Sequence, residues 1–161
     1  MNSFDHTQDW FYEGNVSKNF VEYLKEEGHI IEKDNSDNPK AKGIDIISEK
    51  DDIVYLTEVK GYPSEYYVSG DKQGQKKPTS PKLQAKHWLS EAILSTMFNY
   101  GKEKEKRKGK EIELSVVLPK HERYRELLEQ LSPFIKDLCT EAITFYMVDK
   151  NGEVEKFKII G

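Results

Sequence analysis

Three charged residues stand where a sheet core should be. Asp45 lies in Gly43-Ile44-Asp45-Ile46, and Glu58 and Lys60 lie in Glu58-Val59-Lys60-Gly61. Ile47 extends the first apolar string, and Val54-Tyr55-Leu56 runs into the second. A charge next to a core costs on the order of several kcal/mol unless it is paired or binds a metal. Two carboxylates near one lysine therefore point to a divalent-cation site. Strand residues two apart share a face, so Glu58 and Lys60 project together. The polar stretch Glu49-Lys50-Asp51-Asp52 reads as a tight hairpin turn. Folding back at that turn sets Asp45 across from Glu58. The carbonyl of Val59 offers one more oxygen. Such hard ligands suit Mg²⁺ or Mn²⁺ better than zinc.

This ordered set resembles the PD-(D/E)XK nuclease superfamily, over roughly residues 10–100. Asp45 matches the family's first acid, Glu58 the second and Lys60 the lysine. Gly43-Ile44 stands where the name-giving proline would be, a form many members carry. The resemblance implies a restriction-endonuclease-like α/β sandwich with a central mixed β-sheet flanked by helices. It also implies metal-dependent hydrolysis of phosphodiester bonds, with DNA as the expected substrate. Asp45, Glu58 and the Val59 carbonyl would hold the cation. Lys60 would orient the attacking water or stabilise the transition state. A helix-borne acid often completes the site in this family. Glu13 is the first choice for it, against a plain role in balancing the helix dipole. Glu22 competes, but it fits a solvated helix charge better.

Gln84-Ala85-Lys86-His87-Trp88 resembles the Gln-x-x-x-Tyr element of RecB-like nucleases, with Trp88 in place of the tyrosine. Residues four apart share a helix face, so Gln84 could reach the site with Trp88 packed behind it. A polar helix start followed by a core Trp is the other reading. His87 is a candidate for a phosphate contact or for protonating a leaving group, against an exposed structural histidine. His6, His29 and His121 lack metal-ligand spacing, and Asp34 and Asp37 suit turn-forming roles.

The chain's 161 residues fit one domain over 1–161. The single Cys139 rules out an internal disulfide and agrees with a reducing cytosol; a small buried side chain on a helix is its expected role. No apolar run resembles a leader or a membrane span, so a cytoplasmic protein without membrane association is expected. A net charge of −4 does not advertise a nucleic-acid binder, but the distribution does. Lys72, Lys76, Lys77, Lys82 and Lys86 fall in a stretch without acids and would hold a phosphate backbone. Residues 102–110 form a second basic run. Enzymes of this family often dimerise to cut two strands, so a homodimer is open.

The elements that must position these residues can be read from periodicity. Residues 1–9 are expected to fray. Val16, Phe20, Val21 and Leu24 recur at helical spacing, and Gly28 stops that helix. His29-Ile30-Ile31 reads as a short strand, before the hairpin at 43–61. Residues 62–82 form a long irregular connection. A helix follows over 81–100, with Leu83, Trp88, Leu89, Ala92, Ile93 and Met97 on its apolar side. Residues 101–110 read as a solvated loop. A strand at 112–118 and a helix over 119–138, bent at Pro133, come next. Two strands, 142–148 and 154–160, are joined by an Asn151-Gly152 turn. Two readings compete with a nuclease. One is an inactivated nuclease fold that binds nucleic acid or protein. The other is a structural ion-pair cluster in an unrelated α/β protein.

Overall fold

In a computed structural model, residues 9–139 and 142–158 are described, the side chains of 138 and 139 excepted. The fraying of 1–8, His6, the Cys139 side chain and the end of the last strand at 159–160 lie outside the described residues.

The chain runs α1 (Glu13–Glu26), β1 (Ile30–Asp34), β2 (Ile46–Lys50), β3 (Ile53–Val59), α2 (Pro81–Lys106), β4 (Glu111–Pro119), α3 (Glu122–Phe134), β5 (Thr144–Val148) and β6 (Val154–Lys156), with a π-helical turn Ile135–Cys139 after α3. This is the order that the periodicity predicts. The strands form one six-stranded sheet in sequence order. β1, β2 and β3 pair antiparallel, β3, β4 and β5 pair parallel, and β6 returns antiparallel. Parallel neighbours need a crossover. α2 supplies it between β3 and β4, and α3 between β4 and β5.

Alternation along β4 divides the core. Val116 and Leu118 pack with Ala85, Leu89 and Ala92 of α2 and Tyr124, Leu127 and Leu128 of α3. Val117 packs on the other face with Val16, Phe20, Val21 and Leu24 of α1. The mixed sheet is thus covered by helices on both faces. Among the described residues no helix is long and apolar enough to cross a membrane.

α2 departs from expectation in two ways. It starts as predicted, at Pro81, with Ser80 Oγ accepting from the Leu83 amide at 3.3 Å. It then continues to Lys106, so most of the expected loop at 101–110 is helix. Tertiary ion pairs hold that end. Arg107 Nε donates to Glu103 at 2.6 Å, and Arg107 Nη2 donates to Glu32 on β1 at 2.9 Å. Lys110 Nζ reaches Glu49 at 3.1 Å. Its buried stripe is Ala85, Leu89, Ala92, Thr96 and Glu103, while Leu83, Leu94, Met97 and Phe98 are exposed. The 62–82 connection is more ordered than expected. It doubles back through a Tyr66–Lys76 bridge, with Tyr67 and Lys77 amides donating to the Gln75 and Glu65 carbonyls.

Candidate active site

The β2–β3 hairpin turns at Asp51 and Asp52, both left-handed, with φ of 52° and 64°. That is the backbone of a type I′ turn, whose twist matches its flanking strands. The register places Lys50 opposite Ile53, Ile47 opposite Leu56 and Ile46 opposite Thr57. Asp45 lies one residue before that ladder, and both Asp45 and Glu58 line the same cleft. The Val59 amide donates to Asp45 Oδ2 at 2.8 Å, which locks the carboxylate against the strand. Gly43, two residues before Asp45, has φ of +93°, a conformation closed to proline.

Lys60 continues β3, its amide donating to the Val117 carbonyl at 3.0 Å. Its side chain is largely buried and its Nζ lies 3.4 Å from Glu91 Oε1 on α2. Glu13 is the first residue of α1, where a carboxylate favours the positive end of the helix dipole. Gly61 brings that helix start to the site. A Cβ at position 61 would lie 2.7 Å from both the Glu13 nitrogen and the Phe11 carbonyl oxygen. Only a glycine lets the end of β3 pass so close. The Tyr62 amide donates to the Phe11 carbonyl at 3.0 Å, and the buried Tyr124 hydroxyl donates to the Gly61 carbonyl at 2.7 Å. The strand exit is therefore tied to α1 on one side and α3 on the other.

The result is a polar cleft of about 390 Å³, with Glu13, Asp45, Glu58, Lys60 and Glu91 among its lining residues. Burial pushes the Glu58 carboxyl up to about 8; Asp45, Glu13 and Glu91 add to the rise and Lys60 opposes it. Burial likewise pushes Glu13 up to about 7, with Asp45 and Glu91 adding and Lys60 opposing. Asp45 is raised by burial, against the Val59 amide, Lys60 and Lys33. Glu58 Oε2 is buried with no hydrogen-bond partner among the described residues. An orphaned carboxylate oxygen costs stability, and a hard cation is the kind of partner it lacks. Among the described residues no three His, Cys, Asp or Glu side chains are drawn in tightly enough to enclose an ion as they stand.

The remaining predicted residues divide. Val59 does not line the cleft; the part it plays there is its amide bond to Asp45. Gln84 does not line it either, since its Oε1 accepts from Lys77 Nζ at 3.3 Å. Glu91, two helical turns further along α2, stands in the cleft instead. Position 91 continues the face of Gln84 and Trp88 at helical spacing, so the signal was present but the turn was not. Glu22 is on the surface, paired with Lys25 at 3.2 Å. Asp34 Oδ1 accepts from the Ser36 amide, the turn role expected of it, and Asp37 pairs with Lys18. His87 is exposed on α2 and lines no part of the cleft. The lysines are exposed or nearly so but not all idle. Lys76 pairs with Glu65 at 3.1 Å, and Lys72 and Lys77 lie over the Tyr67 ring at 5.8 and 6.0 Å. Lys82 and Lys86 project from the first turns of α2.

No family model matches this chain, and no curated protein matches it in sequence. Among solved structures, an XisH family protein from Nostoc punctiforme PCC 73102 is similar, with a TM-score of 0.43 and 17% identity over 92% of this chain and 98% of that one.

Proposed function

We propose that this chain is a metal-dependent nuclease of the restriction-endonuclease-like fold, hydrolysing phosphodiester bonds with DNA as the substrate. The observation that carries the reading is the convergence of Asp45, Glu58, Lys60 and Glu13 on one cleft, with a buried Glu58 oxygen that has no partner among the described residues. Asp45, Glu58 and Glu13 are the residues that would hold Mg²⁺ or Mn²⁺. When bound, such a cation polarises a phosphoryl oxygen and lowers the pKa of water.

The chain's own residues do the rest. The Val59 amide fixes Asp45, so one ligand is preorganised. Lys60, paired with Glu91, stands beside the acids, where it can orient a water and offset charge that develops on the phosphate. Glu13 and Glu58, raised into the neutral range, can hold or release a proton near pH 7, and a bound cation would favour their anionic forms. Lys72, Lys76, Lys77, Lys82 and Lys86 would supply the phosphate contacts.

The test is incubation of the chain with supercoiled, linear and single-stranded DNA, in Mg²⁺ or Mn²⁺ and in chelator. Cation-dependent cleavage that is lost in Asp45→Ala is expected. Binding of nucleic acid without cleavage under any cation would favour the inactivated module.

A further inference from the structure

A second cavity opens beside the acidic cleft. It measures about 760 Å³ and shares Glu13 and Pro39 with the cleft as lining residues. Sites for small organic groups run from about 300 to 1,000 Å³. The lining is unusual for the rim of a charged site. Phe11, Tyr62, Tyr66, Trp88 and His121 contribute rings, and Lys40 and Lys77 contribute cations. Some of these rings are already committed. Tyr62 stacks on His121 with centroids 3.5 Å apart and planes 12° apart, and Phe11 meets Tyr62 edge-on at 6.3 Å. Tyr66 and Trp88 make no ring contact among the described residues. Tyr66 is 49% exposed, and Trp88 is half-buried.

We infer that this cavity receives an unstacked nucleobase, so that the substrate presents an unpaired strand to the acidic cleft. The inference rests on the nuclease reading for the identity of the polymer. A base inside a duplex has both faces covered by its neighbours and cannot enter such a cavity. An unpaired or extruded base can, and an aromatic ring is its ordinary platform. Every base has such a face, so the cavity selects strand state and not sequence. Lys77 stands at the cavity, held by Gln84, where a phosphate next to the base would pass. Gln84 thereby acquires a positioning role, away from the acids. Sharing Glu13 between the two cavities sets the seated nucleotide next to the cleft in which its phosphodiester would be cut.

The experiment is fluorescence polarisation in chelator, where no cleavage occurs. The probes are a short labelled oligothymidine and a blunt duplex of equal length. The single strand is expected to bind at least about tenfold more tightly than the duplex. Trp88→Ala and Tyr66→Ala are each expected to weaken the single strand about tenfold and the duplex little, with Trp88→Phe retaining most of the affinity. Tyr66 is on an exposed loop, so its variant keeps the fold even where Trp88→Ala does not. Equal affinity for the two probes would overturn the inference, as would unchanged single-strand binding in Tyr66→Ala. Cation-dependent cleavage by the parent, measured alongside, separates the two failures. If the parent cuts duplex DNA while Tyr66→Ala binds the strand normally, the cavity assignment falls and the nuclease stands. If the parent neither binds nor cuts, both fall.

Discussion

Glu58 decides how the site behaves with pH. Its carboxyl is raised from an ordinary value of 4.5 to about 8 in the fold. The folded state therefore binds the proton more tightly than the unfolded chain does. The stability this contributes is full below about pH 4.5 and is lost as pH rises toward 8. Glu13, raised to about 7, acts in the same direction. Thermal melts in chelator should accordingly fall between pH 5 and pH 8. Glu58→Gln should flatten that fall and raise the pH 8 melting temperature by about 2–4 °C. Protons and cations compete for the same oxygens, so Mn²⁺ affinity should climb over the same interval. Melting temperatures that do not change with pH would mean that these carboxyls are better solvated than their burial implies. Lys60 acts in the opposite sense. It opposes the rise at Asp45, Glu58 and Glu13, so Lys60→Ala should destabilise the metal-free protein at pH 8.

The elements bring these residues together through one tight crossing. Gly61→Ala places a methyl 2.7 Å from the backbone of Glu13 and Phe11 and must shift the start of α1. A loss of about 1–3 kcal/mol in urea unfolding is expected, with weaker Mn²⁺ binding because Glu13 moves. Gly101→Ala is the control. Among the described residues nothing lies within 4 Å of a Cβ there, and position 101 is inside α2, so a gain of about 0.5–1 kcal/mol is expected. Equal effects at the two glycines would mean that the crossing does not hold α1 in place. The hairpin and its charges were legible because a strand repeats every two residues and Asp51-Asp52 marks the turn. The far end of α2 was not. Gly101 and a run of charges look like loop, and what keeps the helix going is Arg107 reaching Glu32, a residue 75 positions away. Glu91 was missed for a related reason. Helical spacing gives the face of a residue but not the turn at which the face meets the site.

At the scale of the whole molecule, the two basic runs have different roles. The run at 102–110 ties α2 to the β1–β2 side of the sheet through Arg107 and Lys110. Glu103 is buried, and Arg107→Ala would leave it without its closest partner. A loss of about 1.5–3 kcal/mol is expected, with DNA cleavage by the folded fraction unchanged. The run at 72–86 is expected to bear on substrate. Replacing Lys76 and Lys77 by alanine should reduce the salt dependence of binding by about one slope unit for each phosphate that is no longer neutralised. Lys77 should account for most of it, since Lys76 already has Glu65. An unchanged slope would move the substrate path elsewhere on the surface.

The measurement that bears most directly on the nuclease assignment is cleavage of labelled DNA by the parent and by Lys60→Ala, in Mg²⁺ and in chelator, with Mn²⁺ binding followed on the same samples. The parent is expected to cut only with the cation. Lys60→Ala should still bind Mn²⁺ but cut at least about a hundredfold more slowly, as for loss of a charge-stabilising donor. Full cleavage by Lys60→Ala, or a parent that neither binds the cation nor cuts, would contradict the assignment.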